Sequence, residues 1–367
     1  MRFGKILERL GKSCFVTLLS PFVRTNRFDK TTFHQSKVER ILIVRKDRRL
    51  GNLLLLTPLI EVLRRSFPTA YIACLVDETC ADLLRGDPRV NALITIRSDR
   101  LFWNPFALRR LLKHLSLERF DLAIDTSHMH SFSLGSALLT YGTKAKFRLG
   151  YDRGKSHRFL TLCIPPTDHD IHESDIHLNL LRSIVGEIYP TPPMRIFLDN
   201  DGRLFARKYL AIKGITADTV VVGLHIGGHG SKQLPPRFLL TLIDALHAEP
   251  DVKLVLFYGT DDVFMLRQIE QRIRESSVTY IEPLPLRQFA ALVEQCDLFV
   301  VGDTGPMHLS VAVGTPTIAI FLVKNYRRYG PQGERHRIVY SEARNVTGED
   351  VMVAYRDLRE HLQAIKE

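Results

Sequence analysis

Two stretches of the chain repeat one pattern, and that pattern limits the fold more than any other feature. From residue 39, short apolar runs alternate with helical periods: ILIV (41–44), a helix through LLLLTPLIEVLRRSF, YIACL (71–75), ALITI (92–96), a helix from about 105, and FDLAID (120–125). Unbroken Val, Ile and Leu runs separated by helices are what strands buried on both faces require, and such strands form parallel sheets. After the proline-rich YPTPPM (189–194) the alternation restarts with VVVGLHI (220–226), VKLVLFYG (252–259), TYIE (279–282), LFVVGD (298–303) and TIAIF (317–321), with helical periods between. The prolines at 190, 192 and 193 suit a linker between two α/β domains. At 367 residues the chain is too long for one ordinary core and fits two.

Composition then narrows the partners. With 45% hydrophobic and 25% charged residues, the chain is neither a disordered tail nor a spanning protein. A net charge of +11 favours an anionic partner such as phosphate, nucleic acid or an acidic membrane. There is no zinc-finger spacing or RNA-binding aromatic motif, so no nucleic acid is expected. Cys14, Cys74, Cys80, Cys163 and Cys296 form no CxxC pair. An odd, scattered set reads as reduced thiols in the cytosol, and no metal site is expected from it. The segment RKDRRLGNLLLL after the first strand lacks the glycine fingerprint of a dinucleotide enzyme, and no cofactor is expected.

The first 22 residues, MRFGKILERLGKSCFVTLLSPF, place Phe3, Ile6, Leu7, Leu10, Cys14, Phe15, Leu18 and Phe22 at helical spacing, with Arg2, Lys5, Arg9 and Lys12 off that stripe. This is an amphipathic helix, too short in its apolar run to span a bilayer and without a cleavage site after it. It either lies in an anionic interface or packs on its own domain. Residues 25–38 are polar and read as a linker.

Residues 302–316, GDTGPMHLSVAVGTP, follow a buried strand directly. Open α/β sheets bind ligands outside the carboxyl ends of their strands, so this corner is a site candidate. Gly305 allows close backbone approach, and the amides that open the next helix offer donors to a phosphate. His308 falls in that first turn. Asp303 suits ribose hydroxyls better than a phosphate, which it would repel. The competing reading makes Asp303 or Thr304 a helix cap and His308 an interior histidine.

DTGPMHLSVAVGTPTIAIF resembles the signature of the bacterial heptosyltransferases, glycosyltransferase family 9. Three further segments agree in order: ILIVRKDRRLGNLLLLTPLIEVLRRSFP, VGLHIGGHGSKQLPP and FYGTDD, so the resemblance covers residues 39–365. It implies a GT-B fold, two Rossmann-like domains whose parallel sheets face a central cleft. The division would be an extension and linker (1–38), an acceptor domain (39–195) that also takes the last helix (348–367), and a nucleotide-sugar domain (196–347). The implied activity is inverting transfer of heptose from ADP-heptose to the lipopolysaccharide inner core, on the cytoplasmic face of the inner membrane. A GT-B transferase with another nucleotide-sugar, such as a hexose donor, is the alternative.

Carried over singly, the resemblance places Lys232, Asp303, Thr304, Gly305 and His308 around the donor's diphosphate and sugar. Gly227 and Gly228 would let the backbone approach phosphate, and Asp261, or equally Asp262, would accept bonds from ribose hydroxyls. His128, His130 and the cluster Lys144, Lys146, Arg148, Arg153, Lys155 and Arg158 lie where the family meets its acidic acceptor, or else form a solvated basic face.

The chain departs from the family at one position that matters. An inverting transfer needs a general base for the acceptor hydroxyl, and the family's base is the aspartate of a Gly-Asp pair after the first strand. Here the pair is Gly51-Asn52, and an amide cannot take a proton. The nearest carboxylate is Asp47, among Arg45, Lys46, Arg48 and Arg49, where positive charge is expected to depress its pKa. Asp47 or another acid is recruited as base, or Asn52 only positions the acceptor, or the protein binds its donor without turnover.

Overall fold

A computed structural model describes residues 25–366 apart from 35, 168–169, 217–218, 274–277 and 343–344. The amphipathic stretch 1–22 lies outside the described residues. The chain divides into two compact units. The first takes the described parts of Met1–Arg48, Pro58–His169 and Ser174–Pro192; the second takes Arg49–Thr57, Asp170–Glu173 and Pro193–Glu367.

The first unit carries a six-stranded parallel sheet. Its strands are β1 (Arg40–Arg45), β2 (Tyr71–Asp77), β3 (Ala92–Ile96), β4 (Leu122–Asp125), β5 (Phe147–Tyr151) and β6 (Leu162–Ile164), ordered β3-β2-β1-β4-β5-β6. β1 is central, and Ile41, Leu42, Ile43 and Val44 are all fully buried. One face of the sheet presents Leu42, Val44, Ala73, Leu75 and Ala123 to Leu101, Leu115 and Phe120, together with partly buried Leu108, Leu111 and Leu112 of the helix Pro105–Leu117. Asn104 caps that helix, its side chain accepting from the Ala107 amide at 3.0 Å.

The second unit repeats the architecture. Strands β7 (Val220–His225), β8 (Val252–Phe257), β9 (Val278–Ile281), β10 (Leu298–Gly302), β11 (Thr317–Phe321) and β12 (His336–Tyr340) are parallel and ordered β12-β11-β10-β7-β8-β9. In both sheets the chain starts centrally, winds to one edge, then returns to the other side of the first strand. The reversal falls between β1 and β4 in the first and between β7 and β10 in the second. That is the switch point where open α/β sheets hold ligands.

Three expectations change. Residues 25–34 are not a free linker: the Phe28 amide donates to Thr161 O at 3.0 Å, and Phe28 and Phe33 meet the Phe147 ring edge to face at 5.4 and 5.0 Å. Two aromatic anchors outweigh the polar residues between them. The last helix, Gly348–Lys366, belongs to the second unit rather than the first. Its Val351, Met352, Tyr355 and Leu358 are buried in one cluster with Leu239, Leu242, Leu246 and Ile318. The predicted helix after β1 is split into Leu50–Leu54 and Thr57–Ser66, and residues Arg49–Thr57 group with the second unit.

Candidate active site

In the second unit the corner after β10 is built as a cluster of charged and polar groups at the switch point. β10 ends at Gly302, Asp303 and Thr304 turn the chain, and the helix Gly305–Ala312 begins. Thr304 is the N-cap residue but its side chain makes no capping hydrogen bond. Asp303 is buried and does not cap either. Its carboxylate takes Lys232 Nζ at 2.7 Å and the Asn325 amide Nδ2 at 2.7 Å. Lys232 comes from the loop after β7 and Asn325 from the loop after β11, so three strand ends converge on one carboxylate. The lysine side chain keeps 38% of its surface exposed, which leaves its ammonium open to a second anion.

His308 is buried in the first turn of the same helix. Burial pushes its pKa down to about 4, against the attraction of Asp303, with His172 and Lys232 adding to the depression. The ring is therefore neutral near pH 7, and its Nδ1 is buried without a hydrogen-bond partner. A Cβ on Gly51 would stand 2.5 Å from His308 Cδ2, and a Cβ on Gly305 would stand 3.1 Å from Leu50 Cδ2. The short helix Leu50–Leu54, which carries buried Asn52, thus packs on this corner. Beside it, Glu173 is fully buried and paired with Arg328 at 2.7 Å, while His172 Nε2 lies 3.0 Å from Gly330 O. Sequence reading missed Asn325, His172, Glu173 and Arg328, which no local motif connects to Asp303.

The glycine pair after β7 is required by the packing of its own loop. A Cβ on Gly227 would overlap Asp262 Oδ2 and His225 Cε1, and one on Gly228 would lie 3.0 Å from Gln233 Cα. The space is filled by the chain itself, and the Gly227 amide donates to His225 Nδ1 at 3.1 Å. These glycines let the loop fold on itself. Asp262 is also committed: it is buried, and its Oδ2 accepts from the Gly259 amide at 2.8 Å. Asp261 is exposed at the end of β8, across β7 from the Asp303 cluster.

In the first unit, Asp47 and His128 line one cavity of about 990 Å³ with Lys46, Ser98, Phe102 and Trp103. Asp47 lies 2.7 Å from Nε of the buried Arg45. A second buried arginine, Arg153, pairs with Asp125 at 3.3 Å and donates to the Ser127 hydroxyl. Nη2 of Arg45 and Nε and Nη1 of Arg153 are buried without hydrogen bonds. His130 is exposed and does not line the cavity. Arg148 is a correction: it sits near the start of β5, where its guanidinium donates to Phe159 O and Ala145 O, each at 2.7 Å. Those main-chain carbonyls and the Tyr141 ring at 5.2 Å hold it as a structural residue, away from the carboxyl ends of the strands.

With this geometry in hand, three comparisons bear on kinship. Residues 108–353 match the model of glycosyltransferase family 9 (heptosyltransferase). Lipopolysaccharide heptosyltransferase 3 of Escherichia coli is 25% identical over 288 residues, 74% of this chain and 80% of that one. The family 9 glycosyl transferase of Veillonella parvula superposes with a TM-score of 0.77 at 21% identity, over 87% of this chain and 97% of its own. The E. coli ADP-heptose lipopolysaccharide heptosyltransferase II gives 0.73 at 17% identity, over 89% and 99%. The paired parallel sheets are a GT-B-like α/β fold, and the matched segment contains the convergence of Lys232, Asp303 and His308. The chain belongs to glycosyltransferase family 9, the heptosyltransferase family.

Proposed function

We propose that this sugar-nucleotide-dependent glycosyltransferase moves heptose from ADP-heptose to the inner core of lipopolysaccharide, with inversion, working peripherally at the cytoplasmic face of the inner membrane. The observation that carries the reading is the Lys232–Asp303 pair at the uncapped start of the Gly305–Ala312 helix. In such a transfer the acceptor hydroxyl attacks the anomeric carbon, the bond to the diphosphate oxygen breaks, and ADP departs with the electron pair. Positive charge and helix-terminal amides beside the diphosphate stabilise that departure. Lys232 supplies the charge, Asp303 fixes its position, and Thr304 and Gly305 bring the helix start to the phosphate. Neutral His308 contributes a hydrogen bond without adding charge. The buried guanidinium groups of Arg45 and Arg153, which keep nitrogens without hydrogen bonds, give this part of the first unit the positive charge that suits an acidic acceptor.

The proton acceptor we assign is Asp47, which shares its cavity with His128. Asn52 stands where the family has its aspartate, and buried in its helix it positions rather than abstracts. Asp261 is retained for ribose hydroxyls on the strength of its exposure at the end of β8.

The test is a binding and transfer panel with ADP-, UDP- and GDP-sugars and a heptose-deficient lipopolysaccharide acceptor. ADP-heptose should bind most tightly and be consumed only with acceptor present. Lys232→Ala, Asp303→Ala and His308→Ala should each weaken donor binding by about 1–3 kcal/mol, the range for a lost charge-assisted bond. Unchanged affinity in all three folded variants would remove the donor assignment.

A further inference from the structure

The helix Pro105–Leu117 has two faces, and the buried core explains only one. Leu108, Leu111, Leu112 and Leu115 face the first sheet. Phe106, Arg109, Arg110, Lys113 and Leu117 are all exposed, at the spacing of a single opposite stripe. Trp103, in the turn before the helix, is 87% exposed and Phe106 is 83% exposed. From Arg100 to Leu117 the chain has no aspartate or glutamate. Arg100, Arg109, Arg110 and Lys113 are exposed, and none makes an ion pair among the described residues.

We infer that this segment is a membrane-docking surface and that its occupant is an anionic phospholipid bilayer. The inference rests on the proposed transfer to a lipid-linked acceptor. Guanidinium and ammonium groups meet lipid phosphates, while the exposed Phe106 ring of the stripe and the exposed Trp103 indole just before it enter the interfacial layer, where amphipathic aromatics are most stable. A polyanion alone would satisfy the cations and leave Trp103 and Phe106 in water. Trp103 also lines the cavity that holds Asp47 and His128, so docking through this stripe presents that cavity to the membrane.

Trp103 is the only tryptophan in the chain, which makes its emission a local reporter of the surface. The full-length protein is titrated with phosphatidylcholine vesicles and with vesicles that also contain phosphatidylglycerol. The expected result is a blue shift and co-sedimentation with the anionic vesicles only, both reversed by added salt because the contacts are exposed. The charge-reversed variant Arg109→Glu/Arg110→Glu/Lys113→Glu should lose the shift and bind at least about tenfold more weakly. Its thermal unfolding and its transfer to detergent-dispersed acceptor should match the parent. Sedimentation with Trp103 emission unchanged would overturn the inference, since another part of the chain would then be binding. A shift that follows protein concentration without lipid, or one produced by duplex DNA and not by vesicles, would overturn it in favour of a second copy or a nucleic acid. Failure of the parent protein to bind anionic vesicles, with its transfer activity intact, defeats this surface alone. Vesicle binding and its loss in the variant, without transfer from any donor, would support the surface and defeat the transferase reading.

Discussion

Gly51 is held to hydrogen by His308. An alanine there places a methyl 2.5 Å from the imidazole Cδ2, and the ring is buried in the packed start of its helix, so the neighbours must shift. We expect Gly51→Ala to cost about 1–3 kcal/mol of stability, the usual range for overpacking, and to weaken donor binding as His308 moves. Urea unfolding and donor titration check both; a variant equal to the parent in each would show that the ring does not depend on this contact. The second expectation at this scale concerns pH. Burial holds His225, His308 and His336 down to about 4. Their folded pKa lies below the unfolded value of about 6.5, so the unfolded chain binds more protons between those limits. The neutral forms contribute fully above pH 6.5, and that contribution is lost as pH falls towards 4, at no more than about 1.4 kcal/mol per pH unit for each ring. Protonating His225 also removes the Nδ1 acceptor of the Gly227 amide. Thermal unfolding from pH 7.5 to 4.5 should show the decline, and His225→Gln should flatten it; a flat parent profile would contradict the buried-neutral assignment.

Among elements, the last helix carries more of the second unit than its terminal position suggests. Leu358 is fully buried in the cluster with Val351, Met352 and Tyr355, and Leu358→Ala should cost about 2–5 kcal/mol by urea unfolding, as for other buried leucines. A cost under 0.5 kcal/mol would show that the helix is only laid on the surface. Its apolar stripe was legible in the sequence, but a stripe does not name the sheet that covers it, and here the nearer sheet in sequence is the right one. Strands of continuous Val, Ile and Leu were equally legible because both their faces are buried. β5, β6 and β12 were not: FRLGY carries an arginine spent on carbonyls, LCI is three residues long, and HRIVY is an edge strand with charged positions. The same division holds in the site. Asp303, Thr304, Gly305 and His308 are contiguous and could be read from spacing, whereas Asn325 reaches Asp303 only because β11 lies beside β10. The Gly227–Gly228 pair signalled close backbone approach, and only the fold shows that the loop's own neighbours stand where a side chain would be.

At the scale of the whole molecule, donor binding and proton transfer are assigned to groups in different units, which makes them separable by mutation. Asp47 belongs to the first unit, and Lys232, Asp303 and His308 to the second. Asp47→Asn should therefore leave donor affinity unchanged and lower kcat by about 10²- to 10⁴-fold, the usual contribution of a general base acting in the transition state. The informative partner is Asn52→Asp. Asn52 is 7% exposed in its helix, and a carboxylate there must lose most of its hydration, which raises its pKa towards the range of an effective base. If Asp47 is the base, the new carboxylate adds little to kcat in the parent background. Should Asn52→Asp raise kcat while Asp47→Asn leaves it unchanged, the chain is a weakened or specialised transferase and Asp47 is only the partner of Arg45. Should neither substitution matter and no acceptor ever be glycosylated, the donor corner serves binding alone. The pH dependence of kcat separates the first two outcomes further. A base at Asp47 gives a profile whose acidic limb disappears in Asp47→Asn, and a base at residue 52 gives a limb that appears only in Asn52→Asp.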